Sequence, residues 1–374
     1  MKQLIPVVYI ITKLELGGAQ KVCLSLFNHF SKIGKAWLIS GTQGPLVQEV
    51  INKKNVFLLS SLKRSVGFSD FKAFYDIYHV LKKLKKENSN IIVHTHSTKA
   101  GYLGRWAAWF AGIKIIIHTV HGFGFHPYQS KIGYLIAYLL ELFTSTITTQ
   151  YICVSSYDSA LGKKMIPHFN KKEHIIRAAI ENKAFIPATK TILKLDTYFI
   201  FGTISCFKKQ KNLFDLLNAF KIVHMRNKKT HLEVIGNGEL APVIKDWITQ
   251  ENLQHAITLH GWQSHVAPFM HTWHAFVLSS LWEGLPCSII EARALKLPVL
   301  CYNVGGIKDI ITHGKNGLLY QPHDIQGLAH GMLLLTTDKS LYTSLALHPQ
   351  NLQPFTYAVM HQQHNTIYQK HVSP

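Results

Sequence analysis

Acidic side chains are scarce in this sequence: 20 Asp and Glu stand against 40 Lys and Arg, a formal net charge of +20 over 374 residues. The imbalance predicts attraction to phosphate, whether carried by nucleic acid, anionic lipid or a nucleotide, and its sign does not choose among them. Cysteine is sparse too. The five (Cys23, Cys153, Cys206, Cys287, Cys301) are odd in number and include no C-x-x-C pair, which argues against a disulfide framework or a zinc cage and suits a reducing cytoplasm. No D-x-D occurs, so the usual way of presenting Mg²⁺ to a nucleotide diphosphate is missing. The apolar run of the N-terminus is short and has no cleavage-like site after it, so it reads as a first strand and not a signal peptide. Between Lys131 and Asp158 the only charge is Glu141, over a length that could cross a bilayer. Its second half, LFTSTITTQYICVSS, is too rich in Thr, Ser and Gln to face lipid, so a buried helix followed by a buried strand is expected there.

What is present is alternation. With 47% hydrophobic and 16% charged residues the chain is globular, and its length favours two domains. Short apolar runs alternate with helical patterns, the signature of parallel sheets covered by helices on both faces. Strands are expected near Val7–Thr12, Ala36–Ser40, Ile91–Thr95, Ile115–Val120 and Tyr151–Val154, with helices notably over Ala19–Ile33, Phe71–Lys86 and Gly101–Ala111. Periodicity is lost over Glu181–Asp196, which carries a proline and reads as the interdomain connection. Alternation restarts with strands at Tyr198–Ile204, His231–Ile235, Ile257–His260, Ala275–Ser279 and Val299–Tyr302, and helices at Asn212–Met225, Cys287–Leu295 and Ile325–Thr336. The expected architecture is α/β: two doubly wound, Rossmann-like domains, residues 1–185 and 197–350, facing each other across a cleft, with a last helix over 356–371 packing back on the first.

The stretch SSLWEGLPCSIIEARALKLPVLCYNVGG, Ser279–Gly306, places Glu283 and Glu291 eight positions apart in an otherwise apolar region. A strand ends at Ser280, a Gly-Leu-Pro turn follows, and Pro286 is expected at the first position of a new helix. The first amides of that helix are unpaired and its dipole favours an anion, so phosphate fits there. Glu291 lies about 7 Å along the helix axis, so the two carboxylates flank the anion site and suit sugar hydroxyls. The plainer alternative is that Glu283 caps the helix and Glu291 favours its early turns electrostatically.

The run E-G-L-P-x-S-x-x-E-A (Glu283–Ala292), then L-P-V-L (Leu297–Leu300), G-G-I-x-D-I-I (Gly305–Ile311) and G-x-N-G-L-L (Gly314–Leu319), strongly resembles the E-x7-E signature of family 4 retaining glycosyltransferases of the GT-B fold. The resemblance extends along the chain. Gly17-Gly18-Ala19-Gln20 looks like that family's glycine loop beside the donor diphosphate, and His94–His126 resembles the acceptor domain of members that build capsule, O-antigen or exopolysaccharide. Phe201–Phe220 resembles the strand and helix that open the nucleotide domain. The resemblance implies a nucleoside-diphosphate sugar donor, with UDP the expected nucleotide, a saccharide or lipid-linked saccharide acceptor, and transfer with retention. It implies no cofactor, and in the absence of D-x-D no metal. The implied catalytic residues are His121, Glu283 and Lys211. The implied donor site comprises Gly17, Gly18, Cys206, Lys211, Gly236, Gly238, Trp262, Glu283, Gly284, Leu285, Pro286, Cys287, Ser288 and Glu291. Within it Glu291 would hold the ribose, Glu283 the donor sugar, and Lys211 with the amides of Gly284–Ser288 the diphosphate.

One position departs from the pattern: Cys206 stands where the family usually has an Arg, five residues before Lys211, with Lys208 and Lys209 nearby as substitutes. An uncharged thiol does not offset a departing diphosphate. A non-catalytic sugar-nucleotide-binding homologue therefore stays open as an alternative, and so, independently of Cys206, does a nucleotide-sugar epimerase or hydrolase. Gly236–Ala241 satisfies G-x-G-x-x-A but lacks the acid after the next strand that a dinucleotide site needs. The H-x-H of His94 and His96, with His118 and His121, invites a metal reading, yet no carboxylate occurs between Asn88 and Glu141. The tracts Lys82–Lys86 and Lys163–Lys164, with Arg105, Trp106 and Trp109 on one helix, suit peripheral attachment to anionic lipid at the inner face of the cytoplasmic membrane. No nucleic-acid motif accompanies them, so nucleic acid is not an expected partner.

Overall fold

Runs such as VVYII and IIIHTV have the β-branched, all-apolar character of strands buried on both faces, and each becomes a parallel strand. The computed structural model describes residues 6–181 and 198–371. The chain divides into two units, one holding everything up to Ala179 together with the segment from Pro354 onward, the other Ile180–Gln353. The connection expected over Glu181–Asp196 lies, apart from Glu181, outside the described residues.

The first unit runs β1 (Val7–Ile11), α1 (Gly18–Ile33), β2 (Ala36–Gly41), β3 (Val56–Leu59), α2 (Ser69–Glu87), β4 (Ile92–His96), α3 (Thr98–Phe110), β5 (Ile115–Val120), α4 (Lys131–Ser145), β6 (Gln150–Cys153), α5 (Ser156–Met165) and β7 (Glu173–Ile175). Its sheet has the order β3-β2-β1-β4-β5-β6-β7, and every pairing is parallel. The chain winds one way from β1 to β3 and the other way from β4 to β7. Because crossovers are right-handed, α1 lies on one face and α2 to α5 on the opposite one. Residues alternate between these faces: Val8, Ile10 and Val93 pack with Ala73, Ile77 and Ala107 of α2 and α3, while Tyr9 and His94 point the other way.

The second unit repeats the plan: β8 (Phe199–Ile204), α6 (Leu213–Arg226), β9 (Thr230–Ile235), α7 (Ala241–Gln250), β10 (Ile257–Gly261), α8 (Ala267–Thr272), β11 (Ala275–Leu278), α9 (Cys287–Ala294), β12 (Val299–Tyr302), β13 (Gly317–Tyr320), α10 (Ile325–Thr337) and α11 (Lys339–Leu347). Its sheet order is β10-β9-β8-β11-β12-β13, again wholly parallel. The last helix, α12 (Tyr357–Gln369), belongs to the first unit, where His361 Nε2 lies 2.8 Å from Ser25 Oγ of α1.

Three strands, β3, β7 and β13, were not expected, being edge or near-edge strands of three or four residues. Two sequence expectations are corrected. The helix after Lys131 is not buried: Ile132, Ile136 and Phe143 are 73%, 54% and 63% exposed, while Glu141, its one acid, is buried. Nor is Arg105 available to lipid. It is fully buried and forms a two-pronged pair with Glu141, both N–O distances 2.8 Å, while also donating to Gly101, Thr148 and Tyr151. Burial alone would raise the Glu141 carboxyl, but Arg105 and hydrogen bonding from Tyr151 and Tyr102 hold it below its usual value.

Candidate active site

In doubly wound sheets a ligand crevice forms beyond the carboxyl ends of the strands where winding reverses. In the second unit the reversal falls between β8 and β11, whose following loops carry Cys206–Lys211 and Ser279–Pro286. These loops are laced together. Gln210 Nε2 donates to the Trp282 carbonyl at 2.8 Å, the Leu281 amide donates to Gln210 O at 2.8 Å, and Ser279 Oγ donates to Asn212 O at 2.9 Å. Lys211 Nζ forms an ion pair with Glu283, whose side chain is 8% exposed. Two residues separated by 72 positions thus meet at the switch point. Ser280 Oγ and Asn212 Nδ2 are buried there with no partner among the described residues.

The acidic loop is held in place from behind. Gly305, at φ +52°, passes so close to Glu283 that a Cβ would lie 1.9 Å from the Glu283 carbonyl oxygen, and the Gly306 amide donates to Gly284 O at 2.8 Å. That accounts for the first glycine of the G-G in the motif: only glycine fits this approach and this φ. Helix α9 then begins at Cys287, as the expected span Cys287–Leu295 has it, with Pro286 as its N-cap instead of its first residue. Ile289, Ile290, Ala292, Arg293 and Ala294 are buried, leaving Cys287, Ser288 and Glu291, spaced i, i+1 and i+4, as its accessible side. Glu291 therefore shares the open side of α9 with the residues of its first turn.

The remaining donor-site residues of this unit lie on neighbouring loops. Gly236, at φ +130°, follows β9; a Cβ there would sit 1.8 Å from Ser205 O, so its absence lets the β9 loop stack on the loop that carries Cys206. Gly238 likewise packs against Phe207, whose amide donates to Asn237 O at 2.9 Å. The dinucleotide-like glycines here serve loop-on-loop packing. Trp262, just past β10, is 45% exposed. Cys206 is half-buried, and Leu285 is buried under the Gly-Leu-Pro turn.

The first unit carries its own crevice at its own reversal, between β1 and β4. Gly17 is the N-cap and Gly18 the first residue of α1. The adjacent Ala19 lines a cavity of about 200 Å³ together with Ser97, Thr98, His118, Thr119 and His121. The glycine loop and His121 are thus neighbours in this unit. Behind His121 runs a buried polar chain built from the histidines that invited a metal reading in the sequence. His121 Nε2 lies 3.0 Å from His96 Nδ1; His94 bridges Thr119 Oγ1 at 2.7 Å and the Tyr368 hydroxyl at 2.6 Å; and that hydroxyl lies 3.1 Å from the hydroxyl of Tyr9. Burial, followed by repulsion from His364, pushes His121 down to about 3, and burial pushes His364 to about 4. His94, His96 and His118 are held well below their ordinary value, chiefly by burial. All are neutral at pH 7. Among the described residues no group of three His, Cys, Asp or Glu is placed to hold a metal ion. Ser97 was missed in the sequence. It adopts φ +64° between β4 and α3, and its hydroxyl is 2.8 Å from Thr12 Oγ1. Such strain in a non-glycine residue gathers at functional sites, but no sequence period announces it.

The architecture is that of GT-B glycosyltransferases. Anabaena HepE, solved in complex with UDP-glucose, superposes with a TM-score of 0.82 over 98% of this chain and 99% of that one at 16% identity. Sucrose-phosphate synthase from Thermosynechococcus elongatus gives 0.82 over 98% of each chain at 18% identity. At those identities the likeness speaks for the fold alone. Sequence comparison goes further. The profile of Glycosyltransferase Family 4 matches residues 16–176 and that of Glycosyl transferases group 1 matches residues 187–347. The UDP-Gal:alpha-D-GlcNAc-diphosphoundecaprenol alpha-1,3-galactosyltransferase of Escherichia coli is 31% identical over 341 residues, 87% of this chain and 86% of that protein. The capsular polysaccharide biosynthesis glycosyltransferase CapM of Staphylococcus aureus is 27% identical over 75% of both chains. The chain belongs to glycosyltransferase family 4.

Proposed function

We propose that this glycosyltransferase moves a hexose-type sugar from a UDP-sugar to a saccharide or lipid-linked saccharide acceptor in cell-envelope polysaccharide synthesis, with retention and without a metal ion. The observation that carries the reading is the pairing of Lys211 with Glu283 at the switch point of the second unit, four residues ahead of the start of α9. It supplies one cation and the positive end of a helix beside the loop that carries Glu283, with Glu291 on the accessible side of that helix, the chemistry that a sugar diphosphate requires. UDP and an undecaprenol-linked acceptor are suggested by the names of similar proteins, which speak of UDP-Gal with a diphosphoundecaprenol sugar and of UDP-glucose.

In this reading Glu291 takes the ribose hydroxyls, and the α9 amides with Lys211 take the diphosphate. Donor binding draws Lys211 from Glu283 toward phosphate, releasing the carboxylate for the hydroxyls of the sugar. The bond from the anomeric carbon to the β-phosphate oxygen breaks while the acceptor hydroxyl bonds to the same carbon from the same face, and the departing phosphate takes the hydroxyl proton. Neutral His121, beside the glycine loop of the first unit, acts as a hydrogen-bonding group and not as a cation. Thermal stabilisation by UDP-, GDP- and ADP-sugars, with Glu291→Ala as the control, tests the donor site. A UDP-sugar at a hundred times its dissociation constant should add about 2.7 kcal/mol, and stabilisation by none of the three would overturn the reading.

Cys206 favours a second reading, in which the donor is bound but not turned over. Under it, wild type binds UDP-sugar without releasing UDP when acceptor is present, and Cys206→Arg gains transfer. Release of UDP by wild type with a lipid-linked acceptor excludes it.

A further inference from the structure

On the face of the first sheet that carries α2 to α5, the helix after Lys131 is inverted. Its acid, Glu141, points inward to Arg105, and its large apolar residues point outward. Ile132, Leu135, Ile136, Leu139, Leu140 and Phe143 are each between 38% and 73% exposed, at spacings i, i+3, i+4, i+7, i+8 and i+11, a single stripe along α4. Contiguous exposed apolar surface on this scale marks an interaction site.

The stripe continues beyond its own helix. Trp106 Nε1 donates to Thr144 Oγ1 at 3.0 Å, joining α3 to the end of α4 beside Phe143. Trp109 and Phe110, 49% and 58% exposed, contact Trp106 edge-on or tilted, with ring centroids 5.8 and 6.3 Å away. From there Lys85 Nζ, donating to Gly112 O at 2.7 Å, ties the end of α3 to the last turns of α2, where Lys82, Lys83 and Lys86 are exposed. Exposed acids are absent from its α3 and α4 part: between Asn88 and Tyr157 the only one is the buried Glu141. On α2, Asp70 is paired with Lys99 and Asp76 accepts from Ser61, leaving Glu87 exposed among the lysines.

We infer that the outer side of α3 and α4, flanked by the α2 lysines, is a monotopic docking surface for a bilayer containing anionic lipid. The stripe inserts into the acyl boundary while the lysines meet the headgroups. An apolar stripe alone would suit a protein partner equally well; an acid-free surface bordered by exposed lysines selects the anionic membrane. Among the described residues no helix is long and apolar enough to cross a membrane, so the contact is with one leaflet. This places the first unit, and the cavity beside His121, at the surface where a lipid-linked acceptor is found. It does not depend on the donor assignment, because the docking residues lie outside the second unit altogether.

Co-sedimentation of the full chain with phosphatidylcholine vesicles, with and without phosphatidylglycerol, tests the inference. Binding is expected to the mixed vesicles, weakened but not abolished by high salt. Leu135→Ser/Leu139→Ser, at exposed positions, should lower the partition coefficient more than about tenfold, and Lys82→Glu/Lys86→Glu should lower it mainly at low salt. Both variants should keep wild-type thermal stability. Failure of wild type to sediment with mixed vesicles overturns the inference. So does equal binding by the stripe variant, or self-association of wild type that the stripe variant abolishes, since the surface would then serve a second copy. Thermal stabilisation by UDP-sugar, read on the same samples, reports the donor site separately.

Discussion

Lys211 and Glu283 are each other's ion-pair partner, and that has an energetic consequence for substitution. Removing Lys211 leaves a nearly buried carboxylate without its cation, so Lys211→Ala should cost the second unit about 1–3 kcal/mol. Lys211→Ala/Glu283→Gln should recover part of that stability without recovering UDP-sugar affinity. Thermal melts and donor titrations on the three proteins check this, and a double variant no more stable than Lys211→Ala would count against it. The pairing was not legible in the sequence. The resemblance assigned the two side chains to different parts of the donor, and their contact depends on which strands become neighbours at the switch point. The same holds for His96. An H-x-H on a strand indicates only that both rings share a face; that His96 meets His121 follows from the register between β4 and β5, in which His96 is opposite Thr119. His96→Leu should preserve donor affinity while lowering kcat, because His121 loses the partner that orients its ring, and His96→Asn should restore part of the rate.

At the scale of elements, what the sequence conveys well is alternation, and what it conveys poorly is which side of a helix is covered. Helices α2, α6 and α10 were anticipated to within two residues at either end, because their buried positions recur with helical period over thirteen or more residues. Strands β3, β7 and β13 have three or four residues, too few for any period to register. In α4 apolar residues occur all round, so sequence alone offered no reason to turn Glu141 inward; the reason is Arg105, which approaches from α3. That cluster yields a prediction of its own. Arg105→Ala strands Glu141 in a buried site, and Glu141→Ala strands Arg105, so each should cost about 3–5 kcal/mol. Arg105→Met/Glu141→Leu should be far milder than either. Urea titrations followed by circular dichroism would decide it, and additive losses in the double variant would contradict a mutually dependent pair.

For the whole molecule, the histidines of the first unit set a pH boundary. His94, His96, His118, His121, His361 and His364 all have proton affinities depressed by burial, His361 to about 3. The unfolded chain takes up protons below about pH 6.5 and the native chain does not, so stability is fully present above that value and falls as pH drops. Each histidine contributes a slope of up to about 1.4 kcal/mol per pH unit. Melting temperatures measured from pH 7.5 to pH 5 should therefore fall steeply below about 6.5, before most carboxylates titrate. A flat profile over that range would mean that the cluster is hydrated or already charged.

The return of α12 to the first sheet has a temporal meaning during synthesis. Tyr9 and His94 emerge from the ribosome early, but Tyr368, the hydroxyl they both meet, is made some 270 or more residues later. The interior of the earliest-made sheet must wait, its histidines and tyrosine lacking their final neighbour, while the whole second unit, contiguous in the chain, is free to fold in between. The first unit is complete only once α12, carrying Tyr368, has been made.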